Sequence, residues 1–298
     1  MPKLHINGFP FEYDVAGPED GEPVLLVMGF SAQMTNWPDA FRQGIADAGY
    51  RVIRFDNRDI GLSHQFDDHA VPSPMDLIGA LQAGKDVTSM VPYLLDDMAA
   101  DAVALLDALD AQPAHIIGAS MGGMIVQLMA LNHPDFVRSL IPVMTTSGDP
   151  SLPPATPEAM VALTAQPAST GRDDVTVTAL NARRTIGSAE GVRDSDAEIL
   201  QKAGEGYDRA YTPMGVGRQY GAILAQPRWH DRLADVKVPT KVLHGEVDPL
   251  IPSACGKDIA ARIPGATYVG LEGWGHDVPT KMIPTLVDEI VSFLKTVD

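Results

Sequence analysis

Cysteine is nearly absent from this sequence, whose 298 residues contain one, Cys255. A single cysteine excludes an intrachain disulfide framework and fits a reducing compartment. Residues 1–7 lack the apolar core of a secretory signal peptide, so the sequence predicts none. Because no apolar run approaches the length that crosses a bilayer, we expect a soluble, cytoplasmic protein with no membrane span.

Positive charge is also scarce. Lys and Arg number 22 against 39 Asp and Glu, which gives a formal net charge of −17. Such a surface would repel a phosphate backbone, so the charge balance argues against a nucleic-acid partner. No His or Cys pairs stand at metal-ligand spacing, and the glycines around Ser120 lack the G-x-G-x-x-G pattern of a dinucleotide loop. The sequence therefore predicts neither a metal nor a cofactor.

Short apolar runs alternate with helical patterns along most of the chain. The runs at residues 24–28, 51–55, 137–144, 240–244 and 267–271 predict buried strands. Their alternation with helices is typical of an α/β fold, a doubly wound, mostly parallel sheet with helices on both faces.

The composition changes between residues 145 and 228. This stretch is rich in Pro, Ala, Thr, Gly and charged residues, and its patterns indicate helices without a convincing strand. It carries enough apolar residues to pack, which argues against a linker. We interpret it as an inserted, mostly helical cap. The core domain is then formed by two parts of the chain, residues 1–144 and 229–298.

The stretch Gly118-Ala119-Ser120-Met121-Gly122 stands between an apolar run and a helical pattern. It matches G-x-S-x-G, a strand-to-helix turn whose serine hydroxyl is exposed at a helix N-terminus and whose neighbours must be small. The alternative is a Gly/Ser loop that matches by chance, and the strand–turn–helix context argues against it. Ser120 is therefore the predicted nucleophile.

A serine nucleophile needs an adjacent base that a third group orients. In a sheet of this kind the chain order is Ser, then Asp or Glu, then His. Of the eight histidines, His276 alone lies beyond the last predicted core strand, in a glycine-flanked loop. Loops at the carboxyl ends of parallel strands carry functional residues, so His276 is the predicted base rather than a surface histidine.

The predicted acid is Asp248. It follows the strand predicted at residues 240–244, in a loop that nearby prolines stiffen. Its role would be to accept a hydrogen bond from the imidazole and to stabilise the imidazolium. Two alternatives remain: Glu246, which we expect to be structural, and Asp149, which follows the preceding core strand.

An oxyanion hole needs backbone N–H groups aimed at the developing charge, one of them from the residue after the nucleophile. That residue is Met121. The second N–H is expected from the loop after the strand at residues 24–28, where Phe30 is the leading candidate. The side chain of Phe30 itself is expected in the core or in a pocket wall.

These motifs together resemble the α/β-hydrolase superfamily, over nearly the whole chain outside the cap. The residues that carry the resemblance are the run at 25–30, Asp56-x-x-Asp59-x-Gly61-x-Ser63, the Ser120 elbow, Gly245-x-x-Asp248-x-x-x-Pro252 and Gly275-His276. The segments at residues 27–29, 56–63 and 120–122 are similar to the aclacinomycin methylesterase-like branch of carboxylesterases. Many relatives have His-Gly where this chain has Met28-Gly29. The backbone N–H of Phe30 is unaffected by that difference, whereas any role of the histidine side chain is absent from this chain. The loop at residues 65–92 is longer than usual in the family and is expected to help shape the pocket.

The resemblance implies a serine hydrolase that cleaves a small-molecule carboxylic ester through an acyl-enzyme. Acyl transfer, perhydrolysis and hydrolysis of carbon–carbon bonds remain alternatives, because they use the same triad and the pocket decides among them. A non-catalytic ligand-binding relative would be expected to lose a triad residue, and here none is lost. Substrate choice is expected to depend on the cap and on the loop at residues 65–92. An apolar wall is suggested by three methionines and three tyrosines, although core packing of the cap explains them equally well: Met144, Met160, Met214, Tyr207, Tyr211 and Tyr220.

Overall fold

The computed structural model describes residues 3–297. Eight strands, numbered β1 to β8 in chain order, form one sheet: Lys3–Ile6, Phe9–Ala16, Pro23–Val27, Arg51–Phe55, Ala114–Ala119, Val137–Val143, Lys241–Gly245 and Thr267–Leu271. The order in the sheet is β1-β2-β4-β3-β5-β6-β7-β8. β1, β2 and β4 pair antiparallel, and all other neighbouring strands pair parallel. The prediction of a doubly wound, mostly parallel α/β fold is confirmed.

Ten α-helices occur in residues 3–297, numbered α1 to α10: Asp39–Asp47, Pro74–Gln82, Leu95–Ala108, Met121–Asn132, Pro157–Leu163, Arg172–Ile186, Asp196–Arg209, Pro213–Ala225, Ser253–Arg262 and Ile283–Leu294. Short 3₁₀ helices lie at Met34–Asn36, Thr88–Met90, Pro134–Phe136, His230–Asp235 and Thr280–Met282. None of the helices in this part of the chain combines the length and the apolar character that crossing a bilayer requires.

β3 lies between two apolar cores. Its Leu25 and Val27 belong to one core, and Val24 and Leu26 belong to the other, because successive side chains of a strand point to opposite faces. Helices α3, α4 and α9 cover the first core, and α1 and α10 cover the second. A strand buried on both faces has a continuous apolar sequence, which is the pattern that predicted it.

Local sequence explains two turns at the ends of the fold. The segment Thr280–Met282 is a 3₁₀ turn, and α10 begins at Ile283. A proline in the first turn of α10 favours that start. N–H groups in the first turn of a helix have no intrahelical acceptor, so proline, which lacks an N–H, loses no hydrogen bond there. At the N-terminus the hairpin turn is confined to Asn7 and Gly8, both with positive φ, as a two-residue turn that follows the strand twist requires.

Four helices, α5 to α8, lie between β6 and β7 in the chain. They fall inside residues 145–228, and within that range the structure contains no strand. Helix α8 approaches the sheet closely, since a Cβ added at Gly215 would stand 1.9 Å from the Asp59 carbonyl oxygen. The helical segment therefore rests directly on the loop that follows β4.

Candidate active site

Ser120 lies at the turn between β5 and α4. Its backbone has φ 54° and ψ −119°, a conformation that L-residues rarely adopt. Hydrogen bonds hold the turn on both sides: the Ser120 N–H donates to the Val143 carbonyl oxygen (3.0 Å), and the Thr145 hydroxyl donates to the Ser120 carbonyl oxygen (2.7 Å). The surrounding structure thus fixes the strained backbone that presents the serine.

The two glycines of the motif are needed for close packing. A Cβ at Gly118 would lie 2.2 Å from the Gly122 carbonyl oxygen, and one at Gly122 would lie 2.1 Å from the Val27 carbonyl oxygen. Both clashes are with backbone, which cannot move aside as a flexible side chain can. The glycines therefore allow α4 to begin against the ends of β3 and β5.

Three loops at the carboxyl ends of parallel strands bring Ser120, His276 and Asp248 together. Ser120 Oγ lies 2.9 Å from His276 Nε2, and His276 Nδ1 lies 2.7 Å from Asp248 Oδ2. A carboxylate can only accept, so Nδ1 carries the proton in this pair and Nε2 is left to accept from the serine hydroxyl. This is the geometry that a base and its orienting acid require.

The Asp248 carboxylate is buried and held by its own loop. The residue is 5% exposed, and its Oδ1 accepts from the backbone N–H groups of Leu250 and Ile251, each at 2.9 Å. With Oδ1 engaged in this way, Oδ2 remains directed at His276.

The other two candidate acids have different partners. Asp149 pairs with Arg262. Glu246 accepts from the Tyr268 hydroxyl (2.8 Å) and pairs with Lys257 (3.0 Å). Of the three acids considered from the sequence, Asp248 is the one that contacts His276.

The loop of His276 is fastened to the helical segment that includes α6. The His276 N–H donates to the Ile186 carbonyl oxygen at 2.8 Å, and Arg183 Nη1 donates to the His276 carbonyl oxygen at 3.0 Å. Next to it, Asp277 Oδ1 accepts from the N–H and the hydroxyl of Ser188. Sequence reasoning missed these contacts because their partners are far apart in the chain and form no local motif.

The two expected oxyanion donors flank the serine. A Cβ at Gly29 would stand 3.0 Å from Ser120 Cβ, so the loop that carries Phe30 passes directly beside Ser120. Met121 is the first residue of α4, where backbone N–H groups lack intrahelical acceptors. The Asn57 side-chain amide donates to the Met28 carbonyl oxygen (2.8 Å) and holds the start of the Phe30 loop.

A second histidine, His244, lies near Asp248. His244 is fully buried on β7, and its Nε2 donates to the Ile251 carbonyl oxygen at 2.8 Å while lying 3.7 Å from Asp248 Oδ2. Burial lowers the pKa of His244, and the contacts with Ile251 and Asp248 offset part of that effect. The neutral ring therefore braces the Asp248 loop through a hydrogen bond.

We expect the free energy of unfolding to decrease as the pH falls below about 6.5, the ordinary histidine pKa. Below this pH the unfolded chain binds a proton at His244, whereas the buried ring of the folded protein stays neutral to a lower pH. Because the folded pKa is lowered, the stabilisation is present above the unfolded pKa and is lost as the pH falls through the folded one. Urea unfolding of wild type and His244→Gln over this range measures the effect. The variant should show a flatter dependence, and equal slopes would contradict the assignment.

A cavity of about 1080 Å³ lies between the helices α6, α7 and α8 and the loops that carry Phe30 and His276. Phe30 and Asp277, the neighbour of His276, are in its wall, while Ser120 and His276 are not among its lining residues. Val71 and Pro74, the first residue of α2, also contribute, so the 65–92 segment helps to form the cavity.

The expected apolar wall is present in part. Tyr207, Tyr211, Met214 and Tyr220 line the cavity. Of the other two methionines, Met144 is buried in the core beside β6, and Met160 is on the partly exposed surface of α5. Among residues 3–297, no group of three or more His, Cys, Asp or Glu side chains is placed to hold a metal ion.

The chain is similar to known proteins in its sequence and in its fold. A family model described as the alpha/beta hydrolase fold matches residues 22–279. The chain is similar to rhodomycin D methylesterase DauP of Streptomyces sp. (strain C5), with 29% identity over 290 residues that cover 89% of this chain and 88% of that relative. It is also similar to rhodomycin D methylesterase DnrP of Streptomyces peucetius, with 27% identity over 86% of this chain and 85% of that relative. Among solved structures, the enol-lactonase from Burkholderia xenovorans LB400 shares the fold, with a TM-score of 0.75, 20% identity, and coverage of 99% of this chain and 100% of that one.

Proposed function

Because this chain belongs to the α/β-hydrolase fold family, we propose that it hydrolyses carboxylic esters through an acyl-enzyme formed on Ser120. The resemblance expected from the sequence is confirmed by the family match and by the two methylesterase relatives, which support a carboxylic-ester hydrolase. The observation that carries the mechanism is the unbroken hydrogen-bonded series from Asp248 through His276 to Ser120.

In the first half of the reaction, Ser120 Oγ attacks the ester carbonyl carbon while His276 Nε2 takes the hydroxyl proton. Asp248 stabilises the resulting imidazolium through its hydrogen bond with Nδ1. The negative charge moves to the carbonyl oxygen, where the N–H groups of Phe30 and Met121 would receive it. His276 then gives its proton to the alcohol oxygen as the carbon–oxygen bond breaks, and the acyl group stays on Ser120.

In the second half, water attacks the acyl carbon and passes a proton to His276. Collapse of this tetrahedral intermediate breaks the bond to Ser120 Oγ, which regains its proton from His276. The carboxylic acid is released and the enzyme returns to its starting state. No group outside the chain is needed except water.

We place substrate selection in residues 145–228, the segment that contains α5 to α8, with residues 1–144 and 229–298 as the catalytic core. Two observations support this division. Helices α6, α7 and α8 contribute the wall of the cavity that Phe30 and Asp277 also line, and the segment contacts the loop of His276 and the loop of Phe30. Side chains of this segment would therefore choose the ester, while the core performs the chemistry.

A panel of p-nitrophenyl esters, from acetate to dodecanoate, tests the proposed activity. We expect wild-type protein to release p-nitrophenolate, most readily from the shorter esters. Parallel reactions with hydrogen peroxide, an alcohol acceptor or a diketone measure perhydrolysis, acyl transfer and carbon–carbon cleavage. Turnover of the diketone or formation of peracid with no hydrolysis of any ester would contradict the proposal.

A further inference from the structure

Helix α8 touches the catalytic core through three consecutive residues. Arg218 pairs with Asp59 after β4, with nitrogen–oxygen distances of 2.8 and 2.9 Å. The ring of Tyr220 lies 5.8 Å from the ring of Phe30, measured between centroids. Gln219 lies between them and is fully buried. One helix of the 145–228 segment is thus joined to the loop that carries a proposed oxyanion donor.

The Gln219 side chain connects two core loops. Its Oε1 accepts from the Ser31 N–H at 3.1 Å, and its Nε2 donates to the Arg58 carbonyl oxygen at 2.9 Å. Each end of the amide therefore has a backbone partner, one after β3 and one after β4. Such a bridge fixes the position of the β3 loop relative to the sheet.

The Ser31 backbone needs this support. Its φ is 60°, in the left-handed region that favours glycine and that is unfavourable for residues with a side chain. Within the loop, the turn is closed by a hydrogen bond from the Ala32 N–H to the Gly29 carbonyl oxygen, at a long 3.4 Å. Phe30 lies inside this turn, so the direction of its N–H depends on the turn being held.

We propose that Gln219 is a positioning residue for the oxyanion hole. It holds the turn at residues 29–32 so that the Phe30 N–H faces the oxygen of the tetrahedral intermediate. This inference rests on the proposed function, and it gives α8 a part in stabilising the transition state in addition to lining the cavity. A packing role alone would affect stability without changing transition-state binding.

Gln226 provides a matched control at the end of the same helix. Like Gln219 it is buried, and it joins α8 to the core: its Oε1 accepts from the Asp96 N–H (3.2 Å) and its Nε2 donates to the Asp96 carboxylate (2.9 Å). Gln226→Met and Gln219→Met therefore each remove one two-ended bridge between α8 and the core. Only Gln219→Met removes a contact to the Phe30 loop.

We expect Gln219→Met to lower kcat on a p-nitrophenyl ester by about 10- to 100-fold, because a misplaced oxyanion donor loses most of its effect. KM should change little, since the contact acts on the transition state. Gln226→Met should keep kcat within about twofold, the usual range for a change outside the site. Equal kcat values for the two variants would overturn the inference.

Binding of a transition-state analogue separates positioning from packing. A trifluoromethyl ketone that adds to Ser120 should lose affinity in Gln219→Met by the same factor as kcat/KM, whereas the product carboxylic acid should bind nearly as in wild type. Equal losses for both inhibitors would indicate a general disturbance and would contradict the proposal. If Gln219→Met does not fold, Gln219→Asn, whose shorter amide cannot span both loops, is measured in its place.

Rescue by Ser31→Gly gives an independent check. Glycine adopts a φ of 60° without steric cost, so the turn should depend less on Gln219 in that background. The kcat loss caused by Gln219→Met should then be smaller than in wild type, and an unchanged loss would contradict the proposed link. Absence of ester hydrolysis by the wild-type protein would instead contradict the proposed function itself.

Discussion

Replacing Ser120 with alanine is expected to reduce kcat for ester hydrolysis by about 10⁴-fold or more, since the proposed covalent intermediate cannot form. The change removes one oxygen and leaves the backbone bonds of the turn to Val143 and Thr145 in place. We therefore expect the melting temperature to stay within about 2 °C of wild type. Initial rates on p-nitrophenyl acetate and thermal unfolding by circular dichroism measure the two quantities.

Ser292→Ala is a suitable control for this variant. Ser292 is exposed on α10, the terminal helix. The Ser292→Ala variant should hydrolyse the same ester at the wild-type rate. If Ser120→Ala kept a rate comparable with that of Ser292→Ala, the assignment of the nucleophile would be wrong.

Asp248→Asn is expected to lower kcat by about 10⁴-fold, the loss typical of an orienting acid in such a triad. The side-chain amide keeps the size of the carboxylate, but it would no longer select the ring tautomer whose Nε2 accepts from Ser120, nor stabilise the imidazolium. Binding of substrate depends on other groups, so KM should change much less than kcat. Steady-state kinetics with a saturating ester measure the split.

Asp149→Asn is the matched control for the acid. That change disrupts an ion pair with Arg262 and leaves the contact between Asp248 and His276 intact. This ion pair is partly exposed rather than fully buried, so a modest loss of stability and a kcat within about twofold of wild type are expected. A larger loss of kcat at Asp149 than at Asp248 would show that the acid had been assigned wrongly.

The fold could be predicted from the sequence because its strands are buried on both faces. Such strands have short continuous apolar runs, and the run at residues 51–55 matches β4 residue for residue. The triad candidates could be named for a related reason. Each follows a strand, and the order of nucleophile, acid and base along the chain limits the choice.

Other parts of the site could not be predicted, because they depend on contacts between distant segments. Gln219 and Arg183 belong to helices of residues 145–228, yet they bind the loops of Phe30 and His276. Neither stands in a motif, and a buried glutamine in a helix has no distinctive local pattern. His244 stands at the end of a predicted strand, where its sequence context indicates no role, and the hydrogen bond that joins it to the Asp248 loop is visible in the structure alone.

Mass spectrometry after treatment with a fluorophosphonate probe tests the central claim most directly, since the probe reacts with an activated serine and marks its position. We predict one adduct per chain, on the peptide that contains Ser120, with no adduct in Ser120→Ala and slower labelling in Asp248→Asn. Labelling of a different residue, or ester hydrolysis that continues at the wild-type rate after Ser120 is fully modified, would contradict the account.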